Sequence, residues 1–209
     1  MKLLQALVLL VGLPVAATVA LPIVLVNLAI FRRLDRVLYR QERMGRRGRT
    51  FSMIKFRTMR ETSDAWSSWK TGADGLRVTR FGRFLRSTHL DELPQFLNIL
   101  SGEMSLIGPR PEMVSIDAWA REHVPEFHRR LALKPGITGL SQVTIGYTGM
   151  DVGAYATKLR YDEAYRQNLS FRMDLSVLLR TALWMLRGRG WRWRTQEVKA
   201  ERTGETAAV

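Results

Sequence analysis

The sequence predicts a helix-rich α/β protein with a small sheet, preceded by an N-terminal helix that enters a membrane. Three observations support this prediction: residues 3–31 contain no charged side chain, residues 51–56 alternate as a short strand does, and most of the chain after residue 80 has helical periodicity. We therefore divide the chain into an N-terminal membrane helix (1–33), a globular domain (34–190), and a basic and aromatic tail that becomes disordered (191–209).

Composition narrows the classes of function. The 209 residues include no cysteine and three histidines, and no HExxH-type spacing occurs. Disulfide scaffolds, thiol nucleophiles and zinc sites built on cysteine are therefore excluded, and a histidine zinc site is not indicated. The net charge of +14 indicates a polyanionic partner, which is nucleic acid, an anionic membrane surface or a phosphorylated substrate. Charge alone does not choose among these three.

The charge-free run is long enough to enter a membrane. As a helix, residues 3–31 would extend roughly 43 Å, which exceeds the ~30 Å hydrocarbon core of a bilayer. A signal peptide fits poorly, because the run ends in Phe31-Arg32-Arg33 rather than at a small-residue cleavage site. The arginines that follow predict that the next domain lies in the cytoplasm, by the positive-inside rule.

Two prolines, Pro14 and Pro22, interrupt this run. Each removes a backbone donor and can kink a helix. One interpretation is a kinked helix that spans the membrane, in which prolines are tolerated. The other is a re-entrant helix that bends near Pro22 and returns to the same face. Hydropathy leaves both interpretations open.

The segment after the run is strongly basic. Residues 32–60 contain 11 basic and two acidic side chains, which is typical of a patch held against anionic lipid headgroups. Within it, residues 51–56 alternate after a glycine turn and predict a strand. A strand would hold Lys55 and Arg57 on one face at a fixed place, which a solvated run of charges does not need.

An acidic pair, Asp91 and Glu92, lies inside this basic protein. Because proline is tolerated in the first turn of a helix, Pro94 predicts a helix that starts close to Asp91. The pair is then either a set of ordinary first-turn acids or a nucleophile beside bound phosphates. Arg86 and Arg110 flank the pair and could neutralise phosphates and keep a carboxylate ionised.

The two flanking arginines lie in segments with a predicted shape. Arginine recurs at every third residue from Arg77 to Arg86, which predicts a helix that carries Phe84 and Leu85 inward. Arg110 stands between two prolines, so its backbone is stiff and its guanidinium should be positioned. The alternatives are a solvated helix face and an ordinary turn.

The C-terminal part of the chain is predicted to be largely helical. A rigid Pro-Gly turn occupies residues 134–143, and residues 155–186 have helical periodicity that becomes strongly apolar from Leu175 to Leu186. Twelve residues are too few to span a bilayer, so this apolar part is either a core helix or a helix that lies in the membrane interface. The alternating arginines and tryptophans of residues 187–194 also suit an interface.

Four stretches of the chain together resemble one known family. They are YRQERMGRRGRTFSMIKFRTM (39–59), TRFGRFLRSTHLDELPQFLNILSGEMSLIGPRPEM (79–113), KPGITGLSQV (134–143) and YDEAYRQNLSFRMDLSVLLRT (161–181). In this order they resemble the bacterial sugar transferases known as monotopic phosphoglycosyl transferases, over about residues 5–186. These enzymes begin the assembly of O-antigen, capsule, exopolysaccharide or protein-linked glycans. Several long motifs in the right order make the resemblance specific.

The resemblance implies a reaction and a role for the acidic pair. A UDP-sugar would give its sugar 1-phosphate to undecaprenyl phosphate and release UMP. Asp91 would attack the β-phosphate to form a phosphosugar-enzyme intermediate, and Glu92 would remove a proton from the polyprenol phosphate or bind Mg²⁺ with Asp91. Lys55, Arg57, Arg86 and Arg110 can supply the positive charge that phosphoryl transfer needs.

The resemblance also implies a location and partners. It implies a re-entrant helix bent at Pro22, where Leu21 replaces the serine usual in the family, and a catalytic domain on the cytoplasmic face of the bacterial inner membrane. The expected partners are a UDP-sugar, undecaprenyl phosphate and anionic lipids, with Mg²⁺ as cofactor. The sequence permits a homodimer without fixing the oligomeric state, and it does not identify the sugar.

Two other functions are weighed against this one. A membrane-anchored nucleic-acid-binding protein is compatible with the charge, but no helix-turn-helix or RNA-binding motif occurs, and an acidic pair would repel a phosphate backbone. We therefore expect no nucleic acid among the partners. A non-catalytic scaffold that recruits other glycan enzymes would be indicated by loss of Asp91 or Glu92, and both are present.

Overall fold

The computed structural model describes residues 2–61, 77–146, 149 and 151–186, with side chains from residue 8 onward. This part of the chain is helix-rich and contains two small two-stranded sheets, which confirms the predicted class. The predicted tail at 191–209 lies outside the described residues. The elements in chain order are α1 Lys2–Phe31, β1 Leu38–Met44, β2 Thr50–Phe56, α2 Arg80–Thr88, α3 Gln95–Leu100, β3 Ser105–Ile107, α4 Val114–His123, β4 Gly136–Thr138, α5 Leu140–Ile145, α6 Val152–Gln167 and α7 Phe171–Leu186.

Strands β1 and β2 form an antiparallel hairpin. A single 3₁₀ turn, Arg46–Gly48, joins them, with Gly48 at a positive φ of 75°. This confirms the predicted strand and its glycine turn. The basic composition of residues 38–44 did not predict β1. The register pairs Tyr39 with Lys55, so the hairpin fixes the position of the lysine along the strand.

Strands β3 and β4 pair in parallel although a helix and a 3₁₀ segment separate them in sequence. Close approach of the backbones requires glycine here, because a Cβ on Gly136 would lie 2.2 Å from the nitrogen of Gly108. Gly108 leads directly into Pro109, and the nitrogen of Gly136 donates to the carbonyl of Pro109 at 3.0 Å. The predicted Pro-Gly turn at residues 134–143 thus contains strand β4, and this strand supports the segment around Arg110.

Helix α1 contains the candidate membrane segment. Within the described residues, Val8–Phe31 is long and apolar enough to cross a membrane, as judged by length and composition. The helix continues through Pro14 and Pro22. Large apolar side chains on its outer side are exposed, namely Leu10, Val11, Val15, Leu21 and Leu25.

Both halves of α1 contact the globular part of the chain. Val8 and Leu9 pack against the core cluster that contains Met53, and Ile23 is buried in a second cluster. Near the end of the helix, the buried Asn27 amide donates to the carbonyls of Val37 at 3.2 Å and of Arg57 at 3.0 Å. The helix is thus tied to the residues that flank the β1–β2 hairpin. The domain boundary at residue 33 stays a prediction.

Two helices present apolar side chains on their surface. In α2, Leu85 is fully buried but Phe84 is 51% exposed, so the prediction that both point inward is wrong for Phe84. The reason is that adjacent helical positions differ by about 100°, and only one of the two can face the core. Helix α7 buries Val177 while Leu175, Leu179, Leu183 and Leu186 are exposed, a pattern that favours the interface-lying helix over the core helix.

Candidate active site

The acidic pair occupies a turn of its own. Helix α2 ends at Thr88 and is capped by His89, whose φ of 58° is left-handed. A 3₁₀ turn, Leu90–Glu92, follows before α3 begins at Gln95. The prediction of a helix that starts close to Asp91 is therefore wrong by about one turn. Because α3 begins only after Pro94, the argument from anion binding at a helix N-terminus does not apply to the pair.

The turn is held by its neighbours. Leu90 and Leu93, on either side of the pair, pack against the apolar cluster that contains Phe56 and Leu85. This partial burial anchors the turn to the core. Asp91 and Glu92 between them are buried. Buried carboxylates require charged or hydrogen-bonding partners, and the two acids meet this requirement differently.

Glu92 is fully paired with two cations. Its Oε1 accepts from the Nζ of Lys55 at 2.7 Å and from the Nη2 of Arg110 at 2.5 Å, and its Oε2 accepts from the Nη1 of Arg110 at 3.3 Å. Burial alone would raise the pKa of Glu92, but the charges of Arg110 and Lys55 outweigh it and lower that pKa. The glutamate is therefore an ionised group that holds a lysine and an arginine in place.

Asp91 has a different environment. No hydrogen bond to its carboxylate is formed by the residues that the structure describes. Burial raises the pKa of Asp91 to about 6, and the charge of Glu92 adds to this, against the opposing effects of Lys55, Arg86 and Arg110. Two adjacent carboxylates thus have pKa values moved in opposite directions, which is a common sign of divided chemical roles. Of the two acids, Asp91 is therefore the candidate nucleophile.

The predicted cations are divided between two places. Lys55 and Arg110 converge on Glu92. Arg86 donates from its Nε to the hydroxyl of Thr58 at 2.9 Å. It is close enough to Asp91 for its charge to oppose the rise in the pKa of that carboxyl. Arg57, by contrast, donates to Glu61 at 2.7 Å and to the carbonyl of Arg36 at 2.9 Å. The structure therefore brings Lys55, Arg86 and Arg110 to the pair, but not Arg57.

A buried charged network behind Arg110 was not predicted. Arg130 donates from its Nε to Asp162 at 2.8 Å, and both side chains are almost wholly buried. Glu112 pairs with Lys158 nearby. Asp162 lies in one of the family-like stretches, but nothing in the spacing of these residues along the chain indicates that they meet.

The acidic pair offers limited means of binding a metal. Mg²⁺ is commonly bound by one or two carboxylates together with substrate phosphates and water. Both oxygens of Glu92 already accept from cations, so Asp91 is the member of the pair that fits such an ion. Within the described ranges no group of three or more His, Cys, Asp or Glu side chains is close enough to hold a metal. A metal here would depend on substrate phosphates for its remaining ligands.

Comparisons with known proteins find one matching family and several relatives. The family model described as bacterial sugar transferase matches residues 2–188. A UDP-N-acetylgalactosamine-undecaprenyl-phosphate N-acetylgalactosaminephosphotransferase of Aeromonas hydrophila is 36% identical over 182 residues, which cover 84% of this chain and 43% of the relative. A UDP-glucose:undecaprenyl-phosphate glucose-1-phosphate transferase of Caulobacter vibrioides is 42% identical, over 69% of this chain and 54% of the relative.

The extent of coverage differs among the relatives. The exopolysaccharide production protein PSS of Rhizobium leguminosarum bv. phaseoli is 38% identical over 79% of this chain and 88% of its own length. The chain spans less than half the length of the Aeromonas relative. The similarity to that relative is therefore similarity to one part of a longer protein.

Proposed function

The chain belongs to the bacterial sugar transferase family, and from this premise we propose that it transfers a sugar 1-phosphate from a UDP-sugar to undecaprenyl phosphate and releases UMP. The observation that carries the proposal is the difference in environment between the two acids of the pair. Glu92 is neutralised by Lys55 and Arg110, while Asp91 beside it has no such direct partner among the described residues. The names of the relatives supply the substrate classes.

The first step forms a covalent intermediate. An oxygen of the ionised Asp91 carboxylate attacks the β-phosphorus of the UDP-sugar. The bond between that phosphorus and the oxygen bridging to the α-phosphate breaks, and the bridging oxygen leaves as part of UMP. The sugar phosphate is then attached to Asp91 as an acyl phosphate. A carboxylate nucleophile divides one displacement into two easier ones.

The second step regenerates the enzyme. A phosphate oxygen of undecaprenyl phosphate attacks the same phosphorus, the bond to Asp91 breaks, and the carboxylate returns to its ionised form. The product is an undecaprenyl diphosphate sugar. Polyprenol phosphate is substantially ionised near neutral pH, because a phosphate monoester has a second pKa of about 6. The acceptor therefore has little need of a strong base.

The cations stabilise charge that moves during both steps. Lys55, Arg86 and Arg110 lie around the pair, and Arg110 presents a planar fork of donors suited to phosphate oxygens. Glu92, whose pKa is lowered, is a weak base. We therefore assign it to positioning Lys55 and Arg110. Bound Mg²⁺ would supply further charge neutralisation for the diphosphate, with Asp91 as the protein residue that fits it.

The site also fits a membrane location. We propose that α1 is re-entrant, with a bend near Pro22, and that the domain lies on the cytoplasmic face of the bacterial inner membrane. Contacts of both Leu9 and Ile23 with the globular part support this arrangement. The exposed leucines of α7 would lie at the same interface, where the lipid phosphate is found.

The proposed topology predicts that position 2 is cytoplasmic. The chain has no cysteine, so Lys2→Cys gives a single labelling site, and Arg47→Cys in the exposed hairpin turn is a matched cytoplasmic control. We expect both cysteines to be protected from an impermeant maleimide in intact cells and to react after the inner membrane is opened. Labelling of position 2 from the periplasm in intact cells would instead indicate a spanning helix.

The raised pKa of Asp91 predicts a pH dependence. Below about pH 6 the carboxyl is protonated and cannot attack, so kcat/KM for the UDP-sugar, which reports the first step alone, should fall about tenfold per pH unit there and level off above pH 7. Steady-state rates between pH 5 and 8 measure this limb, and circular dichroism over the same range checks that the fold persists. A rate that is flat across this range would contradict an attacking group with this pKa.

The function itself is tested with the purified full chain. We expect UMP release with at least one UDP-sugar when undecaprenyl phosphate and Mg²⁺ are present, together with transfer of labelled sugar into the lipid phase. The Aeromonas relative, assayed with its UDP-N-acetylgalactosamine, serves as the positive control. Absence of UMP across a broad panel of UDP-sugars, while the control is active, would refute the proposal.

A further inference from the structure

The turn that carries Arg110 is held through its carbonyl groups. Pro109 and Pro111 have no N–H, so the segment can be fixed mainly by donors aimed at its oxygens. Each of the three carbonyls has such a donor. The nitrogen of Gly136 donates to Pro109 at 3.0 Å, Nη2 of Arg130 to Arg110 at 2.7 Å, and Nη1 of Arg43 to Pro111 at 3.1 Å.

The contact from Arg130 differs from the other two. Its guanidinium is buried, lies over the ring of Phe127 at 5.0 Å, and is oriented by Asp162 through a 2.8 Å hydrogen bond from Nε. The second carboxylate oxygen of Asp162 accepts from the hydroxyl of Ser141 at 2.8 Å. The direction of the guanidinium is thus fixed on one edge by Asp162 while another nitrogen points at the Arg110 carbonyl.

Stability alone explains this arrangement poorly. Removing two charges from water costs several kcal/mol per ion, and apolar replacement of buried ion pairs is often neutral or stabilising. The Arg130–Asp162 pair is nevertheless directed at the backbone of the one residue that holds Glu92 through two hydrogen bonds. Displacement of a positioned group by about 1 Å can reduce a rate by about 10²-fold.

We propose that Arg130, oriented by Asp162, is a positioning residue that holds the backbone of Arg110 so that its guanidinium meets Glu92 and the transferring phosphates. This inference rests on the proposed function. In this proposal, Arg130 affects the reaction only through the position of Arg110. Arg130 itself therefore does not contact the substrate.

The substitution Arg130→Lys tests the proposal. Lysine keeps a charge for Asp162 but has no second donor in a fixed plane to reach the Arg110 carbonyl at the same time. We expect kcat to fall by about tenfold or more while KM for the UDP-sugar changes by less than about threefold. Arg129→Lys, at the neighbouring position, is the matched control, because Arg129 is exposed and pairs with Glu126. It should leave kcat unchanged.

A double-mutant cycle separates positioning from a general structural role. If Arg130 acts only through Arg110, Arg130→Lys should add less than about twofold in an Arg110→Lys background, because the group that it positions is already lost. If the fold-loss of kcat in the double variant equals the product of the losses in the two single variants, the proposal is overturned. Asp162→Asn, which keeps the shape of the side chain, provides a second cycle with the same expectation if Arg130→Lys does not yield folded protein.

The outcome is distinguishable from failure of the proposed function. If the chain is not a sugar-phosphate transferase, the wild-type protein itself releases no UMP. If the wild type and Arg129→Lys are active, and Arg130→Lys is folded and equally active, the positioning role is wrong and the function stands. Circular dichroism and thermal unfolding of each variant establish whether it is folded.

Discussion

Asp91→Asn is expected to reduce turnover by at least ~10³-fold, because it removes the attacking group of a covalent catalyst. The amide has nearly the shape of the carboxylate but lacks the ionised oxygen that attacks the β-phosphorus. Because no described residue donates a hydrogen bond to the Asp91 carboxylate, the substitution should leave the fold intact. UMP release measures turnover, and intact-protein mass spectrometry with UDP-sugar alone should detect the phosphosugar adduct only on the wild type.

An exposed aspartate provides the control for this experiment. Asp35 pairs with Arg33 on the surface, where both side chains are more than half exposed, so Asp35→Asn should leave activity within about twofold of the wild type, since exposed ion pairs contribute little. A wild-type rate in Asp91→Asn would refute its assignment as the nucleophile. It would then direct attention to Glu92, the other carboxylate of the pair.

Arg110→Lys is expected to reduce turnover by ~10²-fold or more without changing membrane association. A lysine keeps the charge but cannot reproduce the two-point contact that the guanidinium makes with Glu92, nor a planar contact with phosphate oxygens. Such contacts matter most where charge develops in the transition state. The measurement is kcat with saturating UDP-sugar, together with flotation of the protein on vesicles that contain anionic lipid.

A surface arginine separates this prediction from an effect of charge alone. Arg47 lies in the exposed turn of the β1–β2 hairpin, and Arg47→Lys should be near neutral in both assays. If Arg110 and Arg86 only added to membrane attraction, each would contribute ~1 kcal/mol of binding, which lysine would preserve. Equal and small losses at positions 47, 86 and 110 would mean that the basic groups form a solvated surface rather than a phosphate site.

The sequence by itself determined the features that depend on neighbouring residues. A charge-free run of this length predicted the long apolar helix α1. Alternation at residues 51–56 predicted β2, because side chains of a strand point alternately to opposite faces. The spacing of the arginines predicted α2. The acidic pair between Arg86 and Arg110 was identified as a candidate site because two adjacent carboxylates with arginines on either side are conspicuous in so basic a protein.

Tertiary structure alone decided how these residues are used. Lys55 and Arg57 are equivalent in the sequence pattern, yet only Lys55 meets Glu92, because the hairpin register and the packing of the 3₁₀ turn place it there. Asp91 and Glu92 are adjacent acids, and only the tertiary structure, through their burial and the positions of the cations around them, gives them opposite shifts in pKa.

The contacts that hold Arg110 in place could not be predicted from the sequence either. Arg130 and Asp162 lie 20 and 52 positions further along the chain than Arg110. They meet because α6, which carries Asp162, packs against the 3₁₀ segment Phe127–Ala132 that carries Arg130, and Arg130 in turn reaches the Arg110 carbonyl. Periodicity reports which face of an element is buried, but it does not report which distant element covers that face. The charge of the protein, its motifs and its helices therefore follow from local sequence. The different environments of two neighbouring carboxylates follow from contacts between residues far apart in the chain.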